Sequence, residues 1–468
     1  MFKEEIKIFL KGGSGKVGLA LFTLLLALSL YVIASFPLDF GVRYWNNPSY
    51  WADYPITVPP AWYNFFSDNP KPEHKIISAE EKSFDNNLQL SFRFKQVYDD
   101  FPSFISLRLG KFTLNSLNPL TLELYLKRPD SEFILLKRQI LTSSFEGNPP
   151  FNLYFDEPLR ISLTADPDVS FEISSFLSRK YNFKILQTEL LSKGAHVALF
   201  GKPEKDILIP LKGDYEIVVN LKLSDPKDKV GEARLILGGG VYGLMGTDSL
   251  GRDLFVGLLF GFPVALFIGA VVSFLVALIG TFNGIISGYM GGKSDTLIQR
   301  ASDILANMPL LPLLIFLTFV LGQKLWLVML ILIVFGWPGL TILIRSMVLQ
   351  IKSFQFIEAA QALGSTRGRI ILKHIFPQTA PFVFAQMIFS VPGAILAEAA
   401  LSFLGLGDPS LPTWGQILEL GFRRGGIYSG YWWWILPPGI LIMITAFTFL
   451  LIALALEPLV NPRLRRIK

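Results

Sequence analysis

The chain has 468 residues, no cysteine, a formal net charge of +6 and 51% hydrophobic residues, with a mean hydropathy of +0.45. This apolar content excludes an ordinary soluble domain, and the missing cysteine excludes a disulfide-stapled one. The positive charge gathers beside apolar runs, so it reads as membrane topology and not as a nucleic-acid footprint.

Near the N-terminus, Gly12-Gly-Ser-Gly-Lys16 has the look of a phosphate loop. The earlier glycine is missing at the required spacing, Val17 stands where Ser or Thr must hold magnesium, and no buried strand precedes it. We expect a flexible linker there, within a tail over 1–16. The apolar run 17–36 follows, placing a first membrane helix within 17–37. It exceeds the ~7–15 residues of a signal-peptide core, so an uncleaved anchor is preferred, although Ala34-Ser35 keeps cleavage open.

Residues 38–245 differ in kind. Leu88, Leu90, Phe92 and Phe94 alternate with polar neighbours; so do Leu120, Leu122, Leu124 and Leu126, and Val219, Leu221 and Leu223. Period-two alternation means strands with one buried and one wet face. Two such apolar faces must cover each other, which predicts an inserted, extracytoplasmic antiparallel sandwich. Packing alone must hold it. The aromatic cluster from Trp45 to Phe66 reads either as an interfacial anchor or as a sandwich edge.

Apolar runs resume at 254–290, 304–321, 325–343, 381–406 and 432–456. With the first they make about six helices able to span or nearly span a bilayer, which needs ~20 apolar residues. The run to Met290 is longer than one span needs, so part of it tilts or lies along the interface. Pro309 and Pro312 should interrupt the start of the third helix. Glu398, inside the fifth, costs at least ~2.5 kcal/mol if charged there. It must face protein or water, either as a pathway residue or as a polar tie to a neighbouring helix. Trp432, Trp433 and Trp434, with Tyr428 and Tyr431, read as an aromatic belt at the outer interface.

Six spans put Lys3, Lys7, Lys11 and Lys16, then Lys293 and Arg300, then Arg345, Lys352, Arg367, Arg369 and Lys373, and finally Arg463, Arg465, Arg466 and Lys468 on one face. By the positive-inside rule that face is cytoplasmic, with both termini on it. Arg423 and Arg424 are a minor exception. His74, His196 and His374 are scattered, so no metal site is expected, and no Ser-His-Asp grouping suggests an enzyme.

The segment Glu358-Ala-Ala-Gln-Ala-Leu-Gly364 through Ile375-Phe-Pro377 is polar and basic, set between two apolar runs. Its grammar is two short helices. Residues 357–363 are helix-forming, Gly364 can take the left-handed conformation that ends a helix, Ser365 can cap the next turn, and Pro377 should stop the second helix.

This segment resembles the coupling (EAA) loop of ABC importer permeases, with Phe376 where a Leu is common. Two further stretches resemble signatures of the dipeptide and oligopeptide importers: Gly246-Thr-Asp-Ser-Leu-Gly-Arg-Asp253, and Leu396-Ala-Glu-Ala-Ala-Leu-Ser-Phe-Leu-Gly-Leu-Gly407 followed by Pro412-Thr-Trp-Gly415. They stand in the expected order over 246–462. The resemblance implies an α-helical membrane protein with the type I importer permease core over 246–462, carrying five membrane helices and a coupling loop at 354–377. A β-rich insert would occupy 38–245, and a basic tail 463–468.

It further implies the second-type permease subunit in a bacterial or archaeal inner membrane. Its partners would be a different permease, two ABC ATPases holding ATP and magnesium, and an extracytoplasmic binding protein; this chain would bind no cofactor and no nucleic acid. Glu358, Ala359, Ala360, Gly364, Arg367, Arg369, Ile375 and Pro377 would meet the ATPase. Gly246, Thr247, Asp248, Gly251, Arg252, Asp253, Glu398, Gly405, Gly407, Trp414 and Gly415 would be family-signature positions. Peptides are the family default, with nickel, sugar and glutathione-like ligands as alternatives. A secondary transporter would need mid-membrane carboxylates beyond Glu398, and a membrane-anchored receptor or adhesion protein would leave the coupling loop without a purpose.

Overall fold

The computed structural model describes residues 9, 12–37, 39–84, 87–116, 118–141 and 149–460. Lys3, Lys7, Lys11, Leu38, Arg463, Arg465, Arg466 and Lys468 lie outside the described residues. The chain forms two compact units, one of Met1–Asn47 with Phe255–Lys468 and one of Pro48–Leu254. The division falls later than the 38–245 read from composition. The reason is local: Phe40 stacks on Phe260 at 4.3 Å, and the 246–253 turn bonds to residues 57–58.

Helix α1 is Gly13–Ser35. The glycine-rich stretch expected as a linker therefore opens this helix. Its glycines have a packing role: a Cβ at Gly18 would come within 3.1 Å of Ile452 and Leu451.

The second unit holds β1 (Lys75–Ser78), β2 (Glu80–Phe84), β3 (Asn87–Gln96), β4 (Ile105–Leu114), β5 (Leu120–Lys127), β6 (Phe133–Leu141), β7 (Phe151–Leu153), β8 (Leu159–Ser162), β9 (Gly201–Glu204), β10 (Ile207–Pro210), β11 (Gly213–Lys222) and β12 (Lys229–Leu237). One five-stranded antiparallel sheet runs β2-β3-β11-β5-β6, and another runs β1-β12-β4, with β7 and β8 both pairing β4. Register follows the alternation. Val219 faces Leu90 on one side and Leu124 on the other, and Leu107 lies between Leu235 and Ile161. All these residues except Ile161, at 6% exposure, are fully buried and join one core shared by the two sheets. The antiparallel strands expected from period two are present, in two sheets that share one core.

Sequence reading missed the helices in this unit, α2 (Pro167–Tyr181) and α3 (Gln187–Lys193). The signals were present. Asp166 caps α2 through the amide N–H groups of Asp168 and Val169, Pro167 sits in its first turn, and Val169, Ile173 and Leu177 make a fully buried stripe at helical spacing. The aromatic cluster divides. Trp51 is buried, whereas Phe65 and Phe66 are exposed. Buried Asp53 clamps the start of this unit to the second sheet, accepting from Arg108 at 2.7 Å and from Arg160 at 3.0 Å.

The first unit continues with α4 (Leu254–Met290), α5 (Gly292–Asn307), α6 (Leu310–Leu321), α7 (Leu325–Lys352), α8 (Gln355–Ala362), α9 (Arg367–Phe403), α10 (Trp414–Arg423) and α11 (Trp432–Val460). Among the described residues five helices, α1, α4, α7, α9 and α11, are long and apolar enough to cross a membrane. The run 304–321 is not one helix: α5 and α6 meet at an 83° bend. Pro309 marks it, because proline disfavours helical backbone in the residue before it and lacks the N–H that would continue the helix. Met308 there is extended. Trp433 and Trp434 are buried, Trp434 against Gly421, so the tryptophan run is mostly core and not a belt; Tyr428 is exposed.

Candidate functional site

Helix α7 ends at Lys352 and α8 begins three residues later. Between α8 and α9 the chain forms a complete helix-ending motif. Gly364 has φ +77, its N–H reaches the Gln361 carbonyl at 2.9 Å, and the Ser365 N–H reaches the Ala360 carbonyl at 3.0 Å. The reading of Gly364 as left-handed matches this geometry. Ser365 does not cap the next helix; Thr366 takes that position without a side-chain bond, because Ser365 is already used in closing α8.

Pro377 does not stop the second helix. It lies in the first turn of an α-helical stretch after a π-helical turn over Ile371–Ile375. The Phe376 N–H bonds the Ile371 carbonyl, five residues back. This wider turn delivers the chain to Pro377, whose missing N–H is tolerated at a helix start.

The segment is held from beneath by Ile357, Ile370 and Ile375, all buried against Ile344, Val348, Ile351 and Tyr289 of α7 and α4. Glu358, Ala359, Gly364, Arg367, Arg369 and Pro377 are exposed and Ala360 half-buried. Leu363 stands out at 86% exposure. The result is a compact knob with a rigid apolar root and a face of mixed charge around one bare leucine. Of the expected contact residues, Ile375 is root and not face.

Two structural supports of the knob were not anticipated. Gly280, Gly284 and Gly288 recur every four residues along α4, and Cβ atoms there would sit 3.0, 2.7 and 2.8 Å from Leu340, Ile344 and Val348 of α7. Small residues at this spacing let two helices touch closely. Arg345 of α7 grips Asp295 of α5 with both nitrogens, at 2.6 and 2.7 Å. The glycine spacing was legible in the sequence; the ion pair was not, since Arg345 was counted only for topology.

Glu398 and its signature neighbours form a second constellation. Glu398 is buried and accepts from Ser402 Oγ at 2.6 Å, with the Thr413 hydroxyl also bonded to it. Gly407 and Gly415 press on Ser402, where added Cβ atoms would come within 2.2 and 2.8 Å. Gly405 has φ +78. Trp414 donates its indole N–H to the Leu258 carbonyl of α4 at 2.8 Å, over Gly261. Between Pro377 and Glu398 run twenty-one residues of α9, ~32 Å of helix. The knob and this node thus lie toward opposite ends of one rod.

The Gly246–Asp253 stretch belongs to the second unit. Asp248 is fully buried, accepts the N–H groups of Leu250 and Arg252 at 2.8 and 3.0 Å, and pairs with Arg252 Nε at 2.6 Å. Gly246 and Gly251 have φ +71 and +76, Thr247 bridges Asp253, and the Thr57 N–H reaches the Asp248 carbonyl at 2.8 Å. It is a locked turn.

Among the described residues no group of His, Asp or Glu assembles a metal site. His74 packs between Tyr54 and Tyr242 and His374 lies near Phe356, while buried His196 has its Nδ1 unpartnered.

Comparison with known proteins agrees with the helical unit. Residues 280–466 match the family described as binding-protein-dependent transport system inner membrane component. The dipeptide transport system permease protein DppC of Bacillus subtilis is 36% identical over 222 residues, 47% of this chain and 69% of that protein. The oligopeptide transport system permease protein OppC of the same organism is 36% identical over 47% of this chain and 72% of its own length. OppC of Haemophilus influenzae is also 36% identical, over 47% and 71%. With its apolar helices, its knob and this shared half, the chain belongs to the family of binding-protein-dependent transport system inner membrane components.

Proposed function

We propose that this chain is a permease subunit of an ATP-driven importer for di- or oligopeptides. It would form the pathway with a second, different permease above two ABC ATPases, which bind ATP and magnesium, and would receive substrate from an extracytoplasmic binding protein. The knob carries this reading. Its root is packed into two membrane helices, and its exposed face offers Glu358, Arg367, Arg369 and Leu363 to a partner. Closure of an ATPase pair would move that face, and α9 would carry the movement as a rod to the Glu398 node. Coupling of this kind needs only that the partner contact the knob differently in its two states. Glu398, hydrogen-bonded to Ser402 and Thr413, would act as a polar tie between α9 and the loop at 404–413.

An apolar groove of about 560 Å³ between α4 and α9, lined by Phe274, Phe282, Tyr289 and Phe384 among others, suits a seam with the second permease. The knob and both termini would be cytoplasmic and the β-rich unit extracytoplasmic, where it docks the binding protein or the second permease and raises their local concentration. Peptide substrates follow from the relatives' names alone; nickel or a glutathione-like ligand is the alternative.

Purification of the tagged full chain from its own cells should recover ABC ATPases and a second permease, and a Glu358→Arg variant should keep the permease while losing the ATPases. Equal ATPase recovery with that variant, or none with the natural chain, would overturn the coupling assignment. Loss of labelled dipeptide uptake on deleting the gene, with nickel uptake intact, would fix the substrate class; the converse result would replace it.

A further inference from the structure

Residues 54–66 and 241–247 contain no charged side chain. The two stretches lie side by side in the second unit. The Tyr242 N–H bonds the Pro59 carbonyl at 2.9 Å, the Ala61 N–H bonds the Gly243 carbonyl at 2.9 Å, and the Trp62 indole bonds the Leu244 carbonyl at 2.8 Å. Along this ribbon Ile56, Leu244 and Leu250 are exposed, and the 3-10 turn Ala61–Phe66 ends on Phe65 and Phe66 at 85% and 82% exposure. Two adjacent bare phenyl rings on an uncharged ribbon are a costly surface in water.

The ribbon is also tied to the point where the chain enters its second apolar helix. Leu254, the first residue of α4, donates its N–H to the Gly246 carbonyl at 3.1 Å; of the three charges in that turn, Asp248 and Arg252 are buried against each other and Asp253 is half-buried. The exposed apolar side chains therefore start within a few residues of a membrane-spanning helix, on two stretches that themselves carry no charge, with exposed Asp68 following two residues after Phe66.

We propose that this ribbon is a membrane anchor: Phe65 and Phe66, with Leu244 and Ile56 on the same ribbon, insert into the interfacial layer of the outer leaflet. Aromatic side chains favour that layer, where an apolar ring can be buried without stripping the backbone of water. The inference rests on Leu254 opening a membrane span, not on what the importer carries.

The natural chain has no cysteine, so a single introduced cysteine labels uniquely. Nitroxide-labelled Phe66→Cys and, separately, Phe65→Cys chains would be reconstituted in phosphatidylcholine and phosphatidylglycerol vesicles. Collision rates with oxygen and with a water-soluble nickel chelate are then measured against Ile207→Cys, an exposed site at 64% on the β9–β10 hairpin of the same unit. The anchor requires a severalfold higher oxygen-to-nickel ratio at 65 and 66 than at 207. Equal ratios would place the ribbon in water and overturn the proposal. Protection from both reagents would overturn it too, by assigning the ribbon to a protein contact, as would a membrane-like ratio at 207 as well.

Discussion

At the scale of single residues, the clearest case is Gly364. Its positive φ is demanded by the motif that closes α8, while the space where a Cβ would sit is empty. A substitution there is therefore opposed by backbone conformation alone, at about 1–2 kcal/mol for an ordinary side chain and more for a β-branched one. Gly364→Val should leave the subunit inserted at normal abundance and abolish uptake, because the turn would reorganise; normal uptake would mean that the turn does not set the knob's shape.

Gly364 was legible in the sequence because its requirement is local, a helix ending within reach of its own chain. Glu398 was legible as a problem but not as a solution. Its Ser402 partner sits one helical turn away and could have been read, whereas Thr413 arrives only after the loop at 404–413 folds back, which depends on Gly407 and Gly415 being small enough to allow it.

At the scale of elements, contact between α4 and α7 depends on the glycine stripe. Gly284→Leu should overpack that seam, costing about 1–3 kcal/mol and lowering the midpoint of thermal unfolding of the solubilised protein. Gly339→Ala on α7, with nothing within 4 Å of the new methyl, is the matched control and should be neutral or slightly stabilising. A Gly284 variant that melts with the control would show that the helices do not touch as described.

The β-rich unit makes a different prediction. Burial holds His196 and His74 neutral, bringing each from 6.5 down to about 4. The unfolded chain binds those protons first as the pH falls, so the stability they contribute is whole above pH 6.5 and is lost progressively toward pH 4. The slope should be ~1.4 kcal/mol per pH unit for each histidine over that range. Hydrogen exchange of the core strands at about pH 7 and about pH 5 measures it, and His196→Leu should halve the dependence. The strands themselves were readable from alternation. Helix α2 was passed over because its stripe of every fourth residue was read inside a stretch already assigned a period of two.

At the scale of the whole molecule, a membrane-topology reporter fused near Asp166 should report the outside, and one near Gly368 the cytoplasm. A cytoplasmic signal from Asp166 would end the six-span arrangement. Hydropathy exposes apolar mass and so showed where the membrane helices lie, but it does not resolve a bend inside that mass. Pro309 was read as an interruption at the start of the third helix, and a break is there; what stayed hidden was its size, an 83° bend between α5 and α6.

That break bears on a question of parity. Five unbroken crossings, α1, α4, α7, α9 and α11, would leave the two chain ends on opposite sides, and the knob on the same side as the β-rich unit. The knob reaches an ATPase only if α6 also completes a passage. Its twelve residues supply ~18 Å against the ~30 Å of hydrocarbon. On the six-span arrangement the remainder would fall to the extended turn at Met308 and Pro309 and to thinning of the lipid around it. On that arrangement the orientation of the knob would hang on the short helix α6, and local bilayer thickness would become a variable on which transport by this subunit should depend.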